Sequence, residues 1–461
     1  MSDQDAFRPA LDEAVALAGR WLGDVREGRI PPRADVEQVK DALGRELPER
    51  GPGAVEVLRH LAEAAEPGLM RIHSPRFHGW VMGGAQPVAL AADWLTSAWD
   101  QNNGLRSVTP GVAGAEELAA EWLVDLLGLP AGSEIGFVTG ATVANLAGLL
   151  VARDEVLRRV GWAAAADGLA GGPAVRLFVG AERHGSVDSA ASMAGLGHGR
   201  AIPVDEQGRM RVDALTEALD EGEGPAIVVL QAGNIHSGAF DPFAEAIGVA
   251  HRAGAWVHVD GAFGLWAAAA PALRPLVAGV ADADSWATDA HKTLNVPYDC
   301  GIVAVADPGA LHRSMAQHAA YLASSDSVAD PSDRVPELSR RARGVPVYAT
   351  LAQLGRQGVA ELVQRLADSA TVIADGVRGL PGGEVLNDVV YTQVCAAFGS
   401  DERTRAVGEA LLADGRALAS ASTWHGRAVL RFSVSNWLTD ADEASRTVEA
   451  VRRAVAAAAA G

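Results

Sequence analysis

Four short stretches carry the residues best suited to chemistry. TGATVAN (139–145) is a small-residue turn with two hydroxyls, Thr139 and Thr142, ahead of a helical run. Such a turn exposes backbone N–H groups that suit a phosphate, and it also reads as a plain helix cap. AERHGSVDSA (181–190) supplies His184, which taken alone is as readily a solvated side chain. HVDGAFG (258–264) sets Asp260 before small residues, where a carboxylate either faces a ligand or caps a helix. TDAHKTLNVPYDCG (288–301) holds Lys292 as the one cation in a run from His291 to Tyr298. Lysines are seldom buried without a partner, so Lys292 either snorkels to water or is held for its amine.

The elements that must position these residues follow from apolar patterning. Short apolar runs occur at IGFVTG (135–140), AVRLFVG (174–180), AIVVLQ (226–231), WVHVD (256–260), SWATD (285–289) and GIVAVAD (301–307), with helical stretches such as 141–153 and 241–253 between them. This alternation predicts an α/β domain with a mostly parallel sheet covered on both faces. Ligands of such sheets bind beyond the carboxyl ends of the strands. Four strand ends therefore supply a phosphate-type turn, an imidazole, a carboxylate and a lysine. Pyridoxal 5'-phosphate calls for all four, having a phosphate, an aromatic ring, a pyridine nitrogen that should stay protonated and an aldehyde that a lysine captures.

The remaining chain reads as flanking units. Residues 1–85 form an N-terminal helical segment. Phe7, Leu11, Val15, Ala18, Leu22 and Val25 mark an amphipathic helix over 7–25, Pro31 and Pro32 break it, and two more helices are expected near 36–47 and 53–65. The segment is too small for a core of its own and is expected to pack on another subunit or on the main domain. Residues 86–345 form the large cofactor-binding domain, ending in a polar, proline-containing loop over 322–345 that is expected to be mobile. Residues 346–461 form a small α+β domain with strand-like runs VVYTQVCAAF (389–398) and RAVLRFSVS (427–435).

Composition narrows the partners. The formal net charge is −19, from 39 basic and 58 acidic residues, with no basic stripe, which argues against nucleic acid and anionic membranes. The two cysteines, Cys300 and Cys395, give neither a disulfide framework nor zinc spacing, and no metal is expected. No run of 18 apolar residues is free of charges and turn residues, and the opening MSDQDAFRPALDE lacks a signal pattern, so a cytoplasmic setting is expected.

The constellation resembles the pyridoxal-phosphate-dependent group II amino-acid decarboxylases, the aromatic-L-amino-acid and glutamate decarboxylase group on the fold type I (aspartate aminotransferase-like) scaffold. DAHKTLNVPYDCG and HVDGAFG carry the resemblance most specifically. FVTGATVANLAGLLVAR and RRARG support it, with RPALDE, RIHSPRFHGW and LAADWLTSAWDQN. It spans about residues 70–440. It implies that Lys292 links the cofactor, that Asp260 pairs with the pyridine nitrogen, and that His184 stacks on the ring. It also implies that Ala141 and Thr142 hold the phosphate, with Thr139 and Gly140 shaping the turn, His291 nearby, and Ala262 packed on the ring. Trp80 would belong to the substrate pocket, of its own chain or of a partner subunit, since the resemblance implies a homodimer with sites near the interface. Arg431 would approach the substrate carboxylate, and His78 and His236 are further pocket candidates.

Two departures bear on the reaction. AGNIHSGAFDP places Asn234, Ile235 and His236 where the family has small hydroxyl residues, which suggests a changed substrate. Loop 322–345 holds no tyrosine, whereas many aromatic-amino-acid decarboxylases use a loop tyrosine as proton donor; Tyr321, Tyr348 and His318 are the nearest alternatives. Decarboxylation of an L-amino acid to an amine and CO2 is the leading expectation. A decarboxylating oxidase or aldehyde synthase is the second. An aminotransferase or a carbon–carbon lyase is the third, and NVPYDCG after the lysine argues against an ordinary aminotransferase. A cofactor-binding regulator would need a basic DNA-binding module, which neither end offers.

Overall fold

The computed structural model describes residues 3–316 and 329–460. Along the chain the strands are β1 (Phe77–His78), β2 (Glu134–Val138), β3 (Arg176–Gly180), β4 (Arg200–Ile202), β5 (Ala226–Gln231), β6 (Trp256–Asp260), β7 (Ser285–Asp289), β8 (Gly301–Val305), β9 (Gly383–Val385), β10 (Gln393–Phe398), β11 (Leu418–Trp424) and β12 (Arg427–Ser433). Seven of them form one sheet in the order β2-β8-β7-β6-β5-β3-β4, in which only β8 runs against the others. All residues of β6, β7 and β8 are buried, as apolar strands covered on both faces must be. The expected α/β, fold type I architecture is thus present, with the six apolar runs in the large sheet.

Helices Ala141–Arg159 and Gly185–Met193 pack together on one face, with Leu149, Val151, Val187 and Trp256 in that layer of the core. The opposite layer holds Leu123, Phe243, Trp266 and Trp286. The small domain has its own core, built from the long helix Gly344–Arg378, helix Ala441–Ala460 and the sheet β1-β11-β12-β10-β9.

The N-terminal segment is less separate than its helical pattern suggests. Helices Asp3–Gly23, Val36–Leu43 and Ala54–Ala65 are present, the first starting earlier than expected despite Pro9 and the second stopping at Leu43, short of 47. Two residues of the segment then enter the small sheet: Phe77 and His78 pair in parallel with Leu418 and Ala419. Arg76 and Arg26 both bind Glu443 on the last helix, at 2.5 and 2.7 Å. A two-residue strand has no readable alternation, so only the tertiary pairing reveals it.

The expected mobile loop begins at 322, and residues 322–328 lie outside the described residues. From 329 the chain is tied down. Arg340, with its side chain 1% exposed, makes two bonds to Glu116, at 2.9 and 3.1 Å, and also donates to the carbonyls of Asn103 and Phe137. Arg341 binds Asp93 and Arg343 binds Asp299. The polar composition that suggested a loose loop is here a set of arginines with specific partners.

Candidate active site

The carboxyl ends of β2, β3, β5, β6 and β7 open on a cavity of about 230 Å³. Its floor is the turn after β2. Gly140 precedes helix Ala141–Arg159 with no side-chain cap, so the first amides of the helix lack a side-chain partner, and Gly140, Ala141 and Thr142 line the cavity. An uncapped helix N-terminus with small residues is a ready site for an anion such as phosphate. The start of β8 presses on this turn: a Cβ on Gly301 would stand 2.5 Å from the Gly140 backbone, so only glycine allows the approach.

Lys292 comes from the turn after β7. Its Nζ sits 2.9 Å from Asp289 Oδ2, with the lysine side chain 19% exposed and the aspartate 2%. Both residues line the cavity. Asp289 Oδ1 is buried and has no partner among the described residues. His291 stands between the turn and the lysine: its Nδ1 accepts from the Cys300 N–H at 3.1 Å, and its Nε2 lies 3.5 Å from Asp289. Burial pushes the His291 pKa down, against the pull of Asp289.

Asp260 ends β6 and is 4% exposed. Burial raises its pKa, opposed by Lys292, His184, the Ala262 N–H and Asn145. The Ala262 N–H donates to Oδ1 at 3.2 Å. A positive group placed against this carboxylate would favour its charged form, which is what a protonated pyridine nitrogen offers. His184 caps helix Gly185–Met193: its Nδ1 accepts from the Ser186 N–H at 3.2 Å and meets Ser186 Oγ at 2.8 Å. The His184 pKa is lowered, chiefly by burial, with Asp260 pulling the other way.

The cavity therefore brings together Lys292, Asp260, His184, His291, Gly140, Ala141, Thr142, Ala262 and Trp80. Trp80 lines the cavity of its own chain. It is held there by left-handed backbone at Trp80 (φ 52°) and Val81 (φ 66°), unusual for non-glycine residues and costly for a β-branched one. Thr139 lies in the turn and does not line the cavity. Nor does His236, whose Nε2 meets Ser422 Oγ at 3.0 Å while its ring stacks on Trp424. Burial, then Arg431, lowers the His236 pKa to about 4. His78, on β1 of the small sheet, is buried against Thr447 of helix Ala441–Ala460, at 3.0 Å, so it is no pocket residue. Arg431 stands behind the wall: its Nη1 donates to the carbonyl of Ile235, a lining residue, at 3.2 Å. Among the described residues Arg431 has no ion-pair partner, and its buried Nε is unmatched.

Sequence reading singled out neither Asp289, Ser186, Gln231 nor Gly233, which also line the cavity. Asp289 had a signal, being the last residue of a strand and one turn before the lysine. Of the candidate proton donors, Tyr348 stacks on Trp122 away from the cavity, and Tyr321 and His318 lie outside the described residues. No tyrosine lines the cavity among the described residues. Among them, no cluster suits a metal ion and no helix is long and apolar enough to cross a membrane.

Comparison with known proteins agrees with this geometry. The chain is 28% identical to tryptophan decarboxylase 1 of Oryza sativa subsp. japonica, over 97% of this chain and 93% of that protein. It is also 28% identical to the acidic amino acid decarboxylase GADL1 of Mus musculus, over 85% and 71%. A crystal structure of Oryza sativa TDC with PLP and tryptamine superposes with a TM-score of 0.92, at 26% identity and 99% coverage of both chains. The family model described as the pyridoxal-dependent decarboxylase conserved domain matches residues 37–398, a span that includes every residue lining the cavity. The chain belongs to the pyridoxal-dependent decarboxylase family and is a pyridoxal-phosphate-dependent enzyme.

Proposed function

We propose that this enzyme decarboxylates an L-amino acid to the corresponding amine and CO2, with Lys292 as the residue that links the cofactor. The observation that carries the reading is the Lys292 amine in one cavity with the buried carboxylate of Asp260 and an uncapped helix N-terminus. Bound pyridoxal phosphate supplies a protonated, conjugated ring that accepts the electron pair left when CO2 departs. The chain's own residues do the rest. The amides of Gly140, Ala141 and Thr142 hold the phosphate, in a turn set by Thr139, with His291 beside it. Asp260 holds the proton on the pyridine nitrogen. His184 and Ala262 would pack against the ring, and His184, with its proton on Nε2, would be able to move one.

Arg431 supports the same reading. A buried guanidinium without a counterion is costly, and the substrate carboxylate is the anion it lacks. Trp80, Ile235 and Phe263 give the substrate side chain an apolar wall, with His236 braced behind it by Ser422 and Trp424. The exposed Phe7, Leu11 and Val15 on helix Asp3–Gly23 support a homodimer, in which a second copy covers this row.

A second reading is favoured by the absence of tyrosine from 322–345 and, among the described residues, from the cavity wall. Without a proton donor, the carbon left after CO2 loss can meet O2. One amino acid, one O2 and one water then give an aldehyde, CO2, ammonia and hydrogen peroxide. Incubating the enzyme with a panel of L-amino acids while measuring CO2, O2 and ammonia separates the readings. CO2 with amine and no O2 uptake supports decarboxylation. Equal CO2, O2 uptake and ammonia overturns it in favour of the aldehyde.

A further inference from the structure

One oxygen in the cavity wall has no part in the reaction as described so far. Asp289 ends β7, in register with Gly301 of β8, which in turn pairs with Val138 of β2, just ahead of the Gly140 turn. Gly301 adds no side chain between the carboxylate and that turn. A Cβ built on Gly140 would stand 3.6 Å from Asp289 Oδ1 and 3.2 Å from His291 Cε1. Oδ1 thus lies beside the last residue before the uncapped helix Ala141–Arg159. It is buried and has no partner among the described residues. The other oxygen, Oδ2, is engaged: Lys292 Nζ lies 2.9 Å away and His291 Nε2 3.5 Å.

The groups around Asp289 decide what charge it can carry. His291 accepts the Cys300 N–H on Nδ1, and burial keeps the ring neutral, with its proton on Nε2. From the same turn, burial raises the Cys300 thiol and raises Tyr298 to about 12, so both stay protonated. Asp299 is held by Arg343 at 2.9 Å. Trp266 donates its indole N–H to the Asp289 backbone carbonyl, not to the carboxylate. Across the cavity, burial lowers His184, and Asp260 is a second acid. Among the described residues Lys292 is therefore the one charged ion-pair partner of Asp289. Linking the cofactor takes that amine away. The carboxylate, 2% exposed, would be left without its cation beside the phosphate site. Burial and like charge both disfavour it there.

We propose that Asp289 accepts the proton that the Lys292 ammonium must lose, and that the resulting carboxyl donates a hydrogen bond to the cofactor phosphate from the Oδ1 position. The proton passes from Nζ to Oδ2. The free amine bonds to the aldehyde carbon, and its two hydrogens leave with the aldehyde oxygen as water. Rotation about χ2 of an aspartate is roughly two-fold, so a half-turn brings the O–H to where Oδ1 lies. The amides of the 140–142 turn then gain one side-chain donor beside them, present only while the lysine is linked. The inference rests on the proposed linkage of Lys292.

The test compares pyridoxal 5'-phosphate with pyridoxal, which lacks the phosphate, by their dissociation constants on the full-length apoenzyme. The ratio of the two constants isolates the hold on the phosphate and cancels what the lysine contributes. Asp289→Asn keeps a donor, so its ratio should stay within a few-fold of wild type. Asp289→Ala removes the donor, and its ratio should fall about tenfold, the worth of one hydrogen bond to a charged group. A carboxylate that stayed charged would repel the phosphate, so a ratio that rises in both variants overturns the proposal. An unchanged ratio in Asp289→Ala overturns it too. Infrared difference spectra, holoenzyme minus apoenzyme, read the proton directly. Wild type should gain the carbonyl band of a protonated carboxyl, shifted in D2O and missing from Asp289→Asn. No such band, or one undiminished in Asp289→Asn, overturns the proposal. Lys292→Ala is the control: if its visible cofactor band persists, the linkage itself fails. If that band is lost while the ratios or the infrared band disagree, the linkage stands and only the role of Asp289 fails.

Discussion

Lys292 Nζ and Asp289 Oδ2 are 2.9 Å apart, three residues from one another where β7 runs into the following turn. The pair answers how a lysine with little exposure is tolerated among apolar neighbours: it has a buried counterion. The amine can act on an aldehyde only after it leaves this carboxylate and gives up a proton. Asp289→Asn keeps an acceptor and removes the charge, so stopped-flow mixing of apoenzyme with pyridoxal phosphate should show faster uptake at neutral pH. Unchanged or slower uptake would mean that the pair does not restrain the amine.

Lys292→Ala removes the amine and leaves the phosphate cradle untouched. The visible absorbance of the bound cofactor should vanish while phosphate-dependent binding persists at reduced affinity, measured by equilibrium dialysis. A retained visible band would sink the assignment of Lys292.

Arg431→Met separates substrate binding from cofactor binding. Losing a charged hydrogen bond costs about 1.5–3 kcal/mol, so KM should rise roughly tenfold or more. The cofactor spectrum should not change. Folding stability should hold or improve, because a buried guanidinium without a counterion is removed.

Arg340→Met tests the anchor of the segment after 329. It leaves Glu116 buried and unpaired, which costs about 3–5 kcal/mol. Urea unfolding should show the loss, and Arg340→Met/Glu116→Leu should recover part of it. Arg340 also donates to the Phe137 carbonyl at 2.9 Å, just ahead of the Gly140 turn, so cofactor affinity should fall with stability.

Acid should destabilise the protein through its buried histidines. Burial pushes His78 and His258 from the ordinary 6.5 to about 3. Between those values the unfolded chain binds protons that the folded chain does not, so stability falls as pH drops from 6.5 towards 3. At about 1.4 kcal/mol per unit, each histidine contributes up to several kcal/mol. His78→Gln keeps a partner for Thr447 and should flatten the melting temperature against pH in that window. An unchanged slope would show that His78 is protonated in the folded protein.

The large sheet is written in the order of residues along the chain, because buried strands read as apolar runs. WVHVD and SWATD are whole strands of the structure, ending in Asp260 and Asp289. Lys292, Asp260, His184 and the 139–142 turn were legible for the same reason: strand ends in an α/β sheet converge, so order along the chain implies proximity. Which way the neighbours face follows from long-range packing. His236 turns to Ser422 and Trp424, and His78 turns from β1 to Thr447 on the last helix, because burial and hydrogen-bond partners far away in the chain fix a side chain. The polar run before Arg340 read as loose because its partner, Glu116, lies 224 residues earlier. The buried file Trp256–Ser285–His258–Asn145, hydrogen-bonded in that order, also joins residues that have no local pattern. Periodicity reports which face is apolar, and it carries no record of which polar groups meet across two strands and a helix.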